Sequence, residues 1–218
     1  AVSNNLFVPL RFWFNRNPGL ALPLIALQYH EVKVNIQLND TVKLQGTAGA
    51  ELIESTVTDA SLLVNYVYLD TDERRRFAQV SHEYLIEQVQ HTGSESVANG
   101  NNKVTLNYNH PVKALFWSSN KSLGAAKLQL NGHDRASSQS AAYYQLLQPY
   151  ESGLGHSNVM KLDRTWDGVG AVSPVYMYSF ALKPGEHQPS GTCNFSRIDN
   201  AVLQVEHQSG SANTDVSV

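Results

Sequence analysis

The sequence YVYLDTDERRRFAQVSHEYLIEQVQ, residues 66–90, decides how this chain is interpreted. The apolar, aromatic and β-branched residues of 62–69 predict a buried strand that ends at Asp70. Either Asp70 or Thr71 can cap a short helix with a side-chain oxygen, and acidic residues follow in its first turn. Residues 84–89 predict another strand or, less favoured, part of a longer helix. The stretch is typical of a structural building block and requires no cofactor.

Short apolar and β-branched runs recur along the whole chain between turn-rich segments. In residues 31–38, apolar side chains alternate with polar ones, as in a strand with one buried face. No long helix alternates with the strands, which argues against a parallel α/β fold. We therefore predict an all-β protein, an antiparallel sandwich or barrel. The predicted strands are residues 6–14, 31–38, 62–69, 84–89, 103–108, 112–117, 126–130, 175–182 and 201–205.

Composition and charge exclude several classes of protein. The 218 residues are 42% hydrophobic and 16% charged, which is enough for the core of one domain or slightly more. With 19 acidic and 16 basic side chains, the formal net charge of −3 disfavours direct binding to nucleic acid. The longest apolar stretch, residues 19–27, is too short to cross a bilayer. We expect no transmembrane segment and see no secretory signal at Ala1.

The sequence offers few sites for covalent modification. Cys193 is the only cysteine, so no disulfide forms within the chain, and we expect a small buried thiol and assembly in a reducing compartment. Asn-x-Ser/Thr sequons occur at Asn39, Asn120 and Asn194. That number matches chance for this composition, so they are weak candidates for glycosylation.

Three carboxylates lie within four residues, at Asp70, Asp72 and Glu73. They could bind a hard cation such as Ca²⁺ or Mg²⁺. The segment lacks the spaced ligands and the glycine of a calcium loop, and a capped helix start accounts for the same charges. The structural interpretation is therefore favoured over a metal site.

No other pattern supports catalysis. His30 and His82 are each followed by glutamate, but neither is followed by the second histidine of a zinc-protease motif. Cys193 has no nucleophile signature around it, and the chain has no Gly-x-Ser-x-Gly elbow, phosphate loop or dinucleotide fingerprint. We predict no catalytic, cofactor-binding or metal-binding residues, and conclude that the protein is not an enzyme.

Basic and aromatic clusters have competing interpretations. The triple arginine at 74–76 could contact phosphate, an acidic partner subunit or an internal membrane surface. Three charges are few for nucleic acid and favour a solvated helix face or an ion pair between subunits. The aromatic residues could form a sugar-stacking platform, but in strands they more often divide between core and interface. These aromatic residues are Phe12, Trp13, Phe14, Tyr66, Tyr68, Phe116, Trp117, Tyr143, Tyr144, Tyr176, Tyr178 and Phe180.

The opening stretch resembles the major capsid proteins of nucleocytoplasmic large DNA viruses, especially those of algal viruses, the phycodnavirus type. Four further blocks agree, in the same order as in that family. They are VPLRFWFNRNPGLALPLIALQYHEVKVNI at 8–36, LNYNHPVKALFW at 106–117, KLQLNGHDR at 127–135, and YMYSFALKPGEHQPSGTCNFSRIDNAVL at 176–203. Together the blocks cover well over half of the chain, so the resemblance is far more specific than a short motif.

The resemblance implies a double jelly roll, two antiparallel β-sandwiches in one polypeptide. It assigns residues 1–40 to the closing strands of a first jelly roll, 41–60 to a linker, and 61–218 to a second jelly roll. The family normally carries a further strand-forming segment beyond a point like Val218, so we expect the last strand to be lacking and the sequence to be partial. Residues 118–124 and 151–174 are expected to form outward loops.

The resemblance also implies a structural function. Three copies are expected to form a homotrimer, a pseudo-hexagonal capsomer that tiles an icosahedral capsid around double-stranded DNA. Its partners would be neighbouring capsomers and minor capsid proteins, with assembly in the host cytoplasm and a final location in the virion. The rivals are a carbohydrate-binding β-sandwich that recognises host glycans, and a glycosidase with two converging acidic side chains.

Overall fold

Antiparallel strand pairing dominates the structure. The structure is a computed structural model, and it describes residues 7–37, 42–44, 53–55, 59–119, 123–154, 175–207 and 214–218. The chain divides into two compact units, Ala1–Gln88 and Val89–Val218. Every strand pair in the described part is antiparallel. The fold is an antiparallel jelly-roll β-sandwich, as predicted.

The first unit contains little regular structure in its described residues. A 3₁₀ turn at Pro18–Leu20 begins where Asn17 accepts a hydrogen bond from the Gly19 amide, and it buries Leu20. Strand β1 (Val42–Leu44) pairs with β2 (Ile53–Ser55). Helix α1 (Thr71–Gln79) follows.

The second unit contains the sandwich. Its strands are β3 (Ser94–Val97), β4 (Gly100–Thr105), β5 (Pro111–Val112), β6 (Ala114–Ser119), β7 (Leu123–Leu130), β8 (His133–Asp134), β9 (Gln139–Ser140), β10 (Val175–Ser179), β11 (Cys193–Asn194), β12 (Ala201–His207) and β13 (Thr214–Ser217). One sheet has four strands in the order β10-β6-β13-β3, and the other has β4-β12-β7-β8 with β9 also paired to β7. Strands β11 and β5 form a separate pair.

Alternation along the strands builds the core between the two sheets. In β6, Leu115 and Trp117 are buried while Phe116 between them is exposed, as the two-residue period of a strand requires. In β12, Leu203 and Val205 point inward in the same way. Each fully buried large side chain of this kind stabilises the fold by about 1.5–3 kcal/mol.

Aromatic side chains connect the two sheets across this core. The Trp117 ring stacks on Tyr176 and meets Tyr144 edge to face, with centroid distances of 5.8 and 5.0 Å. The Tyr176 hydroxyl accepts a hydrogen bond from the Leu123 amide at 2.9 Å, and the Tyr144 hydroxyl donates to the Ala126 carbonyl at 3.0 Å. Both tyrosines therefore bury their rings without leaving these hydroxyls unpaired.

Four predicted strands are wrong. The described parts of 6–14 and 31–38, and all of 62–69 and 84–89, contain no strand. A strand requires a neighbour that accepts and donates backbone hydrogen bonds, and these segments have no such neighbour among the described residues. The predicted strands at 103–108, 112–117, 126–130, 175–182 and 201–205 are confirmed in place, with shifted ends, as β4, β5 with β6, β7, β10 and β12.

One helical segment was not predicted. A π-helical turn at Tyr143–Leu147 runs into helix α2 (Gln148–Glu151). It places Tyr144 in the core, while the buried Gln148 accepts a hydrogen bond from the Ser179 amide on β10 at 3.1 Å. Because β10 is an edge strand, this bond satisfies a backbone donor that the sheet leaves open.

Candidate assembly surfaces

The acidic cluster before the triple arginine forms a helix cap. The Asp70 carboxylate accepts a hydrogen bond from the Glu73 amide at 2.9 Å, which confirms the predicted cap. Asp72 lies 3.6 Å from Arg75, one turn further along the helix. The carboxylates are thus used locally, and no group of three or more His, Cys, Asp or Glu side chains in the described ranges could hold a metal ion.

Helix α1 buries none of its residues. Phe77 is half-buried and stacks on His82, with ring centroids 5.2 Å apart. In the described part of the chain, the Arg74 and Arg76 side chains form no ion pair. Both guanidinium groups are therefore available for ion pairs with a neighbouring molecule.

Apolar residues on either side of α1 are exposed. Leu63, Val67 and Tyr68 expose 82%, 76% and 92% of their surface. Neighbouring residues on both faces of 62–68 are exposed as well, and so are Leu85 and Ile86 after the helix. Apolar side chains exposed at successive positions make residues 62–68 a candidate interaction surface.

Three chain crossings between the sheets lie at one end of the sandwich, which we call the crossover end. They join β3 to β4, β6 to β7 and β12 to β13. His207 at the end of β12 lies opposite Gly100 and Leu123, the first residues of β4 and β7. The hydroxyls of Ser119 and Thr214 are 3.2 Å apart and buried. The strand ends that flank these crossings are therefore anchored in the core.

Both segments expected to form outward loops reach the crossover end. Residues 118–124 connect β6 to β7 there, and 151–174 lead into β10, whose first residue Val175 lies opposite Ser118. Most of these two segments lies outside the described residues. The described residues that border them, Ser118 and Val175, lie side by side at this end.

One of the three sequons lies in the described part. Asn194 is exposed at the end of β11, and its side-chain oxygen accepts a hydrogen bond from the Ser196 amide at 3.0 Å. The Ser196 hydroxyl accepts one from the His110 amide at 2.8 Å. Asn39 and Asn120 lie outside the described residues. Glycosylation at all three stays a prediction.

The histidines in the described part of the chain do not converge on a metal site. His82 lies with a ring nitrogen 2.8 Å from the Phe77 carbonyl oxygen. His207 is only 2% exposed, and neither of its ring nitrogens has a hydrogen-bond partner among the described residues. Sequence reasoning missed this burial, although the alternation of Leu203 and Val205 with Gln204 and Glu206 already places position 207 on the inward face.

Cys193 is half-buried at the start of β11, near Arg135 and Tyr178. Burial raises the pKa of its thiol, and the nearby Arg135 charge opposes this only in part. A thiol with a raised pKa is protonated at neutral pH and is a poor nucleophile. Its environment suits packing rather than catalysis.

The aromatic residues divide between buried and exposed positions. Trp117, Tyr144 and Tyr176 are buried, while Tyr66 and Tyr68 are exposed in the first unit. Burial raises the pKa of Tyr144 to about 12, with a smaller contribution from Tyr143.

No helix among the described residues is long and apolar enough to cross a membrane.

Comparison with known proteins identifies the family. The family model described as large eukaryotic DNA virus major capsid protein matches residues 73–124 and 118–218, and the model for the major capsid protein N-terminus matches 1–70. The chain belongs to this major capsid protein family. The resemblance seen in the sequence is thereby confirmed.

Individual members of the family agree. The major capsid protein of Pyramimonas orientalis virus is 51% identical over 227 residues, covering 94% of this chain and 54% of the relative. That of Paramecium bursaria Chlorella virus 1 is 40% identical, covering 93% of this chain and 54% of the relative. The chain thus spans about half the length of these capsid proteins.

Solved structures place the fold in the same family. A quasi-atomic model of the PBCV-1 virus capsid matches with a TM-score of 0.65 and 32% identity, over 96% of this chain and 65% of that one. A crystal structure of the PBCV-1 capsid protein matches with a TM-score of 0.66 and 33% identity. These matches cover nearly all of this capsid-family chain.

Proposed function

We propose that this chain is a structural part of a major capsid protein that builds the icosahedral shell of a large double-stranded DNA virus. The observation that carries the proposal is the family match along almost the whole chain, together with a closed jelly-roll sandwich. The role is mechanical: stiff sandwiches form the wall, and exposed surfaces hold the neighbours. The family matches are to major capsid proteins, so the carbohydrate-binding alternative is not favoured.

The subunit is proposed to be a double jelly roll. Residues 1–40 would close a first jelly roll, 41–60 would link the two, and 61–218 would form a second jelly roll. The sandwich strands at 94–217 support the second assignment. Limited proteolysis of the folded chain tests the linker: cleavage within 41–60 is expected, whereas cleavage confined to 70–88 would move the boundary to where the two family models meet.

The capsomer is proposed to be a homotrimer that contacts neighbouring capsomers and minor capsid proteins. The exposed apolar residues beside α1 supply adhesive area, and obligate interfaces commonly bury more than about 2,000 Å². Arg74 and Arg76 could complete ion pairs with an adjoining subunit. Light scattering of the full-length protein tests this point. A trimer mass is expected, and a stable monomer at concentrations typical of assembly would overturn it.

The location that follows is the capsid, after assembly in the host cytoplasm, without direct contact with nucleic acid. The net charge of −3 and the single short arginine cluster support the last point, because binding to nucleic acid relies on many cationic contacts. Outward loops at the crossover end would face the surroundings. Binding to duplex DNA at low salt, measured by fluorescence anisotropy, should be undetectable; salt-sensitive binding that is lost on replacing 74–76 with glutamine would contradict it.

A further inference from the structure

Two Asn-Gly pairs occur in the sequence, Asn99-Gly100 and Asn131-Gly132. An Asn-Gly pair can modify itself without an enzyme. The glycine amide nitrogen attacks the asparagine side-chain carbon, forming a five-membered succinimide and releasing ammonia. Water then opens the ring to aspartate or isoaspartate. Glycine permits the attack because it has no Cβ to obstruct the approach.

The structure holds Asn131 in place. Asn131 and Gly132 form the two-residue turn between β7 and β8, with φ angles of 52° and 79°. These values suit a hairpin turn for which Asn-Gly is the preferred pair. The Asn131 side-chain oxygen accepts hydrogen bonds from the amides of Asp199 and Asn200 at 2.9 and 3.2 Å. Its backbone amide also donates to the Asn200 carbonyl at 2.6 Å. Rotation of this side chain toward Gly132 must break the two side-chain bonds.

Asn99 is free of such restraint. It is exposed in the turn between β3 and β4, and its side chain makes no hydrogen bond to the described residues. The hydrogen bonds of this turn come instead from Asn102. Its side-chain oxygen accepts a hydrogen bond from the Ala98 amide, and its side-chain nitrogen donates hydrogen bonds to the carbonyls of Ala98 and Gly100. Gly100 has φ of 97° and open space around the position of an added Cβ. The reacting groups therefore have room to meet.

We propose that Asn99 is a site of spontaneous deamidation in the folded chain, and that Asn131, despite its identical neighbour, is protected. Conversion at Asn99 replaces a neutral amide with a carboxylate, and the isoaspartate product adds one carbon to the backbone path. Both changes fall at the crossover end, on a turn between the two sheets. A newly made chain and an aged chain thus differ in charge at this end.

Peptide mass mapping of the purified 218-residue chain tests the proposal. The folded chain is incubated at mildly alkaline pH, and the mass gain from loss of ammonia and uptake of water is followed at each asparagine. Asn99 is expected to convert at least about tenfold faster than Asn131, since two hydrogen bonds protect the latter. In denaturant, both are expected to convert at similar rates.

Two results would overturn the proposal. One is equal conversion of Asn99 and Asn131 in the folded chain. The other is conversion of both in denaturant with neither reacting in the folded chain. Asn99→Gln serves as the variant control, because attack on the longer side chain requires a less favourable six-membered ring, so the mass gain on this peptide should be lost. Asn109, exposed and followed by His110, is the internal control and should react more slowly than Asn99.

Discussion

Residues 62–69 and strand β6 have similar apolar and aromatic sequences, and both were predicted as strands, but they lie in opposite environments. Strand β6 pairs with β10 on one side and β13 on the other, and Trp117 within it is 1% exposed. Residues 62–69 pair with nothing among the described residues, and Leu63 is 82% exposed. Apolar sequence makes a segment able to join a sheet, but a neighbouring strand decides whether it does.

The largest effect should follow from removing the centre of the sandwich. Trp117→Ala is expected to lower the free energy of unfolding by about 3–5 kcal/mol, because it removes a large buried ring and leaves a cavity. Its neighbour Phe116, on the outer face of β6, is the matched control, and Phe116→Ala should cost less than about 1 kcal/mol. Urea unfolding followed by far-ultraviolet circular dichroism measures both. Equal losses would show that β6 does not separate a core face from an outer face.

A single buried hydrogen bond should have an intermediate effect. Tyr176→Phe leaves the Leu123 amide without its acceptor in the core, which is expected to cost about 1–3 kcal/mol. The same change at the exposed Tyr68 removes a hydroxyl of the first unit and should alter stability by less than about 0.5 kcal/mol. If the two substitutions had the same effect in urea unfolding, the link between the sheets would carry no stability.

The cap of α1 should matter locally. Asp70→Ala removes the acceptor for the Glu73 amide and is expected to cost roughly 1 kcal/mol of helix stability. Asp72→Ala, which keeps the cap, should cost less. Amide hydrogen exchange along α1 measures the effect, with faster exchange expected in the first variant. Unchanged exchange would mean that something other than the cap maintains this exposed helix.

A smaller effect concerns acid stability at the edge of the sandwich. Hydrogen bonds from Gln129 and then Lys127 lower the pKa of the exposed Asp134 carboxyl. A lowered folded pKa contributes stability above the pKa of the unfolded chain, and that stability is lost as the pH falls through the folded value. Asp134→Asn should therefore flatten the acid limb of the unfolding midpoint plotted against pH. An unchanged acid limb would show that this pair of contacts does not persist in solution.

The smallest effect is expected where the first unit is exposed. Leu63→Ser should change the unfolding free energy of this chain by less than about 0.5 kcal/mol, because the side chain already contacts water. In the proposed trimer of the longer capsid protein, the same substitution should weaken assembly if the segment is covered by a neighbouring subunit. Light scattering and thermal unfolding of both lengths distinguish these cases. Equal tolerance in both would remove residues 62–68 from the proposed adhesive surface.

Sequence reasoning succeeded where one local rule was sufficient. The Asp70 cap depends on a side chain three residues from the amide it binds, so spacing alone predicts it. Inward alternation in β12 likewise follows from its period of two. The same rules could not place Gln148, whose role depends on an edge strand some thirty residues away. The burial of His207 was readable from alternation but was missed.

The sequence by itself determined the family, the antiparallel β class, the cap of α1 and the absence of a recognisable catalytic motif, because these follow from residue types and short spacings. Only the tertiary structure decided which apolar segments pair, which tyrosines connect the sheets and which asparagine is held. The physical reason is that each hydrogen bond or buried contact requires two groups, and the second group often lies far away in the sequence. Asn99 and Asn131 have the same neighbour in sequence, but only Asn131 meets the amides of Asp199 and Asn200.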